Sequence, residues 1–259
     1  MPYLIAFLLI LLPLSLSSGP LPLKERLLYR ITYSGWLTLG YAEMRILGQT
    51  QTQGVQCYEL ETKTWAADWL SEIYPVDDLI QSHWDPALRR SLWHSKRIHE
   101  GKIQQSYVVT FDYKKKLARW KQKGFSPQTS GNRAEGVTPR IPNIFQDPLS
   151  SVYFARTWGG ESKPGMKFNL EVFDDLGIAN IEMEVLNNEK IDLRLQGRRV
   201  TLDAQRIEPR FSSTGLFHRR SNRLFLWVGR GKQRLPLRIV SEIAIGSIKA
   251  ELIEAQPGL

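Results

Sequence analysis

The chain has 259 residues, 42% of them hydrophobic and 24% charged, with a formal net charge of +9. That balance excludes a disordered or membrane-embedded chain and leaves enough apolar material, eight Trp included, for one sizeable core. With Cys57 as its only cysteine, an intrachain disulfide, a Cys-x-x-Cys redox pair and a thiolate zinc cluster are excluded, and Cys57 itself reads as a small buried hydrophobe.

Before the first charged side chain, Lys24, runs YLIAFLLILLPLSLSSG, residues 3–19, an apolar core followed by small residues. This reads as a signal peptide over residues 1–19, with cleavage expected near Ser18 or Gly19 and residues 20–259 forming a single β-rich domain. Such a chain is exported and periplasmic; left uncleaved, the same run would be an N-terminal inner-membrane anchor. The apolar run is shorter than the ~20 residues a spanning helix needs.

From Leu27 onward the dominant period is two. LLYRITYSGWLTLGYAEMRIL reads as two strands turned near Gly35, and YVVTFDY places Tyr107, Val109, Phe111 and Tyr113 on one face. TWAADWLSEIY, with Trp65, Trp69 and Ile73 every four residues, is a candidate helix. Lys123 to Gln146 concentrates Gly, Pro, Ser, Thr and Asn and reads as a long loop able to act as a lid. Directly after it, DPLSSVYFARTW offers Asp147 as N-cap and Pro148 at the first helical position, the clearest helix start in the chain. KFNLEVFDDLGIANIEMEVL predicts a hairpin turned at Asp174 to Gly177, followed by strands turned at Asn187-Asn188 and Gly197. The last segment is a terminal meander. Leu224 to Val228 is apolar on both faces and so should be covered on both sides, and Pro236 should stand at an edge, a bulge or a strand start. The fold class is therefore all-β: a curved antiparallel sheet or partly open, barrel-like meander with one or two short helices.

Motifs for chemistry are sparse. GRGKQ around Lys232 lacks the glycine spacing and the Ser or Thr of a phosphate loop and reads as a basic hairpin tip. His94 and His99 fall on opposite faces of a strand, and a metal site from His83, His94 and an acid has no supporting spacing. The pairs Asp77-Asp78 and Asp174-Asp175 point apart or serve turns. No nucleophile, base and orienter assemble, so the reading is non-enzymatic, with no catalytic or metal residues and no cofactor. Two features invite ligands. Trp65, Trp69, Trp93 and Trp227 are candidates for an aromatic-lined ligand cavity suited to an apolar or amphipathic small molecule. Lys114, Lys115, Lys116, Arg119, Lys121 and Lys123 form a candidate patch facing an anionic membrane surface. An exported protein rarely meets nucleic acid, which sets that partner aside; a protein partner is left unspecified.

Four segments in order, YRITYSGWLTLGYAEMRI, DDLIQSHWDPALRRSLWHSKRIHEGK, DPLSSVYFAR and LWVGRGKQRLPLRI with GSIKAEL, resemble an exported bacterial family, domain of unknown function 3108, over about residues 27–254. The turn departs from the family pattern, which carries an acid where this chain reads Gly229-Arg230-Gly231. The resemblance implies an exported, curved or barrel-like β domain without an established activity. Together these readings lead to an envelope binding module carrying or sensing a lipid-like ligand. The rival is a protein-interaction or structural module with a solid core and no ligand.

Overall fold

The computed structural model describes residues 21–125, 133–157, 162–174, 176–211 and 223–256. The segment read as a signal peptide lies outside them. The chain forms β1 (Arg26–Tyr33), β2 (Leu37–Thr52), β3 (Val55–Ala66), α1 (Asp68–Ser71), β4 (Asp77–Asp85), β5 (Arg90–Glu100), β6 (Ile103–Asp112), β7 (Leu117–Phe125), β8 (Arg133–Pro139), α2 (Pro148–Thr157), β9 (Lys167–Asp174), β10 (Gly177–Leu195), β11 (Arg198–Phe211), β12 (Leu224–Gly229), β13 (Pro236–Glu242) and β14 (Ser247–Gln256). All described strands lie in one antiparallel sheet of order β8-β7-β6-β5-β4-β3-β2-β1-β14-β13-β12-β11-β10-β9. The β2–β3 and β10–β11 connections are two-residue turns in which Gln53-Gly54 and Gln196-Gly197 both take positive φ, the backbone that matches the twist of paired strands.

The sheet is not closed by pairing β8 to β9. Instead, the chain between β8 and α2 is a strap that bridges β5 to the end strand β9. Ser91 N–H donates to the Phe145 carbonyl (2.8 Å), Gln146 N–H to Glu171 O (3.2 Å) and Phe173 N–H to Gln146 O (2.7 Å). Behind this strap, Phe111 meets Phe145 and Phe173 edge-to-face at centroid distances of 5.5 and 5.6 Å.

The α2 helix lies against β3, β4 and β9 and buries Leu149, Ser150, Tyr153, Phe154, Ala155 and Arg156. Its side chains fill the concave interior: Leu149 and Tyr153 join the main core with Leu27, Tyr29 and Leu60, and Phe154 joins a second cluster with Leu226 and Val228. On β12, Phe225 and Trp227 pack instead with Ile191, Leu193 and Leu195. These last residues belong to the far half of the β10–β11 hairpin, which turns back over the neighbouring strands: Gln196 N–H bonds Ile253 O at 2.7 Å and Arg238 Nη2 bonds Asp192 O at 2.8 Å. Both faces of β12 are thus covered, as its two-sided apolar sequence required.

Three sequence expectations change. The loop read over Lys123 to Gln146 contains β8, whose residues pair with β7 from Leu117↔Pro139 to Lys123↔Arg133. Gly136 stands opposite Trp120, where an added Cβ would sit 2.5 Å from the indole. An edge strand tolerates such glycine and proline content, which is why composition alone hid it. The rest of that loop, 126–132, lies outside the described residues. The helix expected around Trp65 to Ile73 shrinks to α1, because Trp65 and Ala66 are held in β3 by pairing with Tyr41 and Gly40. Asn187-Asn188 is no turn: β10 runs through it, with a register shift between Val185 and Asn187 that lets the hairpin bend back.

Candidate functional site

The four tryptophans named from sequence have separate surroundings. Trp65 is partly exposed and stacks on Tyr41 (5.9 Å), and the exposed Trp69 donates its indole N–H to Thr38 O (2.8 Å). Trp93 stacks on His83 (4.6 Å), while Trp227 is buried in the core and bonds the Glu189 carboxylate. None of the four lines the cavities described below. Trp65 and Trp69 instead share one end of the sheet with the exposed Trp36, Ile73 and Ile245, the last held beside β1 by the Tyr33 hydroxyl donating to its carbonyl (3.1 Å).

The basic residues are brought together. Lys114, Lys115 and Lys116 form the β6–β7 turn, and Arg119, Lys121 and Lys123 alternate along β7 on the face opposite Ala118 and Trp120. Two acids temper the strip, Asp112 at 3.5 Å from Arg119 and Glu135 at 3.5 Å from Lys121.

A buried polar cluster anchors α2. Asp147 Oδ1 accepts from Leu149 N–H and Ser150 N–H, both at 2.9 Å, as the N-cap expected from sequence. Its Oδ2 accepts from Ser82 Oγ (2.5 Å) on β4 and Ser91 Oγ (2.6 Å) on β5. His94 lies beside them, its Nδ1 2.9 Å from the Gln81 carbonyl and its Nε2 3.1 Å from the Tyr107 hydroxyl. A carbonyl only accepts, so Nδ1 carries the proton and Nε2 accepts from Tyr107. Burial pushes the His94 pKa below its ordinary value despite the nearby Asp147. Serine, histidine and aspartate are all present, yet Ser82 and Ser91 donate to the carboxylate that caps the helix, His94 bonds Gln81 and Tyr107 of the sheet, and Ser82, Ser91, His94 and Asp147 are fully buried. At the other end of α2, Arg156 and Glu25 form a buried two-pronged pair (2.6 and 2.7 Å), and Arg156 Nη2 also reaches the Gln233 carbonyl at 3.2 Å. Burial opposes the charge on Arg156, but the Glu25 carboxylate outweighs it and holds the pKa above its ordinary value.

That last contact ties the helix to the most distinctive cavity. A space of about 600 Å³ opens between Thr201, Leu202 and Asp203 of β11 and the turn Gly229 to Leu235, with Leu237 of β13. Leu235 and Leu237 are buried parts of the main core and Leu202 packs against it, so the floor is apolar. The rim carries the exposed Arg230 and Lys232, with the half-buried Arg234 further in. Arg234 adopts φ 45, a left-handed backbone that costs a non-glycine residue roughly 1–2 kcal/mol. By its own residues this stretch is a basic hairpin tip; the apolar floor is completed by Leu202 of β11, whose approach no local pattern announces.

A second cavity, of about 350 Å³, is lined by Asp77, Arg97, His99 and Lys123 among others. Beside it, Asp78 is buried and accepts from His99 N–H at 2.9 Å. Burial, assisted by the charge of Glu100 and opposed by that N–H, pushes its pKa up to about 6. The native state therefore binds more protons than the unfolded state between pH 4 and 6, and this group's contribution to stability falls as pH rises through that window. In Asp78→Asn the loss is absent: the melting temperature relative to the parent is expected to rise by roughly 3–6 °C between pH 4 and pH 7, read by thermal melts across pH. A pH-independent difference would refute the assignment.

Among the described residues, no three His, Cys, Asp or Glu side chains converge to hold a metal ion. The family model described as protein of unknown function DUF3108 matches residues 28–253. This chain belongs to the DUF3108 family. No curated protein matches it. Among solved structures, this DUF3108 domain is similar to a β-barrel-like protein of domain of unknown function DUF1849 from Brucella abortus, with TM-score 0.53 and 10% identity, over 92% of this chain and 99% of that one. It also matches a protein with a YmcC-like fold from Bacteroides fragilis, with TM-score 0.40 and 6% identity, over 92% and 97% of the two chains. The first likeness concerns the fold alone: a barrel-like all-β architecture, here an open sheet with the DUF3108 helix α2 against β3, β4 and β9.

Proposed function

We propose that this DUF3108 protein is a non-catalytic binding module of the bacterial cell envelope, exported by its N-terminal segment, that holds one amphipathic, lipid-like ligand. The observation that carries the reading is the cavity beside the β12–β13 turn. Its volume of about 600 Å³ lies within the range of small-molecule sites, and an apolar floor under a charged rim matches a molecule with an apolar chain and a polar head. The basic strip on β7 would add attraction to an anionic membrane surface, at roughly 1 kcal/mol per cation close to it.

The test is native mass spectrometry of the protein purified without detergent from its own envelope, before and after incubation with envelope lipid extract. A one-to-one lipid adduct is expected. Gly231 lines the cavity, has no positive φ, and would meet nothing within 4 Å of an added Cβ, so Gly231→Trp should fold and lose the adduct. A clean apo mass for both proteins would reject the ligand reading.

A second reading has its own observation. Trp36, Ile73 and Ile245 are 73%, 78% and 78% exposed at the same end of the sheet, and an exposed apolar cluster of this kind suits docking to a protein of the envelope. That reading predicts no bound lipid, and loss of a cross-linked partner on Trp36→Ser.

A further inference from the structure

The charges of the β12–β13 turn are unbalanced. Arg230, Lys232 and Arg234 line the cavity with one acid, Asp203, and none of the three cations forms an ion pair with a carboxylate among the described residues. Arg234 is half-buried, and its Nε is buried without a hydrogen-bond partner. A neighbouring buried arginine shows the contrast: Arg156 is neutralised by Glu25 through two bonds. Arg234 has no such partner among the described residues, sits next to the like charge of Arg230, and is kept in a left-handed backbone where glycine would be easier.

We infer that the cavity selects an amphiphile with an anionic head group, phosphate or carboxylate, and that Arg234 is the principal contact for that head, with Arg230 and Lys232 at the mouth. The inference rests on the reading of this cavity as the ligand site. A guanidinium suits the inner position because its planar fork can donate two parallel hydrogen bonds to two oxygens of one head group, where an ammonium offers a point charge. An uncharged head leaves Arg234 half-desolvated and unpaired, so the site discriminates against it as well as favouring the anion. Burial and the charge of Arg230 lower the pKa of Arg234, the direction an incoming anion would reverse.

The experiment is calorimetric titration of protein expressed from the full-length chain with decyl phosphate, decyl maltoside and inorganic phosphate, each amphiphile below its micelle threshold. Decyl phosphate is expected to bind at least tenfold tighter than decyl maltoside, and more weakly as salt is raised. Arg234→Gly should lose tenfold or more for decyl phosphate and bind decyl maltoside no more weakly than the parent, closing the gap between the two amphiphiles. That variant should melt no lower than the parent, because glycine relieves the left-handed strain; Arg234→Gln serves as a second variant with a longer side chain. Equal affinity for the two amphiphiles, unaffected by Arg234→Gly, would overturn the head-group inference while leaving the cavity reading intact. Inorganic phosphate bound as tightly as decyl phosphate would uphold the anion site and overturn the role of the apolar floor. Absence of binding by all three would overturn both.

Discussion

Asp147→Ala is expected to destabilise the protein by about 4 kcal/mol, the sum of a lost helix cap and two buried hydroxyls left without their acceptor. The carboxylate has four bonds to make and makes all of them: two to the first-turn amides of α2, and one each to Ser82 and Ser91 on adjacent strands. It therefore joins helix to sheet at the point where the strap ends. For a domain of this size the melting temperature should fall by roughly 8–16 °C. Asp147→Asn keeps an acceptor oxygen for one of the two sides and should fall by about half as much. Thermal melts of the two variants beside the parent check both figures. An Asp147→Ala loss within about 1 kcal/mol would mean that the serines find other partners and the cap is dispensable.

The second large effect is expected at the other end of the helix. Glu25→Gln leaves the Arg156 guanidinium buried without its counter-charge, and breaking such a pair from one side costs roughly 3–5 kcal/mol. Both side chains are about 1% exposed, so solvent does little to soften the loss. Replacing the pair together, as Glu25→Leu with Arg156→Met, should recover a large part of it, because apolar side chains of similar size need no partner there. Denaturant melts of the single and double variants measure the coupling. A double variant as unstable as Glu25→Gln would show that the pair does more than neutralise itself. The consequence extends to the cavity, since Arg156 also holds the Gln233 carbonyl of the turn that carries Arg230, Lys232 and Arg234.

Much of the architecture could be read from the chain because it depends on local pattern. Leu224 to Val228 is apolar on both faces and is covered on both, Pro236 begins β13 where its missing donor costs nothing, and Asp147 caps the helix it precedes. The errors share a cause. β8 was hidden by glycine and proline that an edge position forgives, Trp65 was drawn into a helix by spacing that strand pairing overrules, and Asn187-Asn188 reads as a turn although the hairpin bends there without reversing.

The candidate site was less legible. Trp65, Trp69, Trp93 and Trp227 are chemically right for a ligand cavity, but the sheet distributes them among an exposed end, a histidine stack and the core, while α2 fills the interior they were expected to enclose. The residues around the β12–β13 turn were visible only as positive charge. Their distinguishing property, a half-buried arginine that forms no ion pair among the described residues and stands above an apolar floor, depends on where β11 and the folded-back hairpin lie. That is long-range packing, which local sequence does not encode.

The central claim is that an amphiphile lies between β11 and the β12–β13 turn, and a crystal structure of the protein with decyl phosphate tests it most directly. The expected result is a decyl chain against Leu202 and Leu237, with the phosphate within hydrogen-bonding distance of Arg234. Decyl phosphate found elsewhere, with the cavity between Leu202 and Arg234 unchanged, would contradict it.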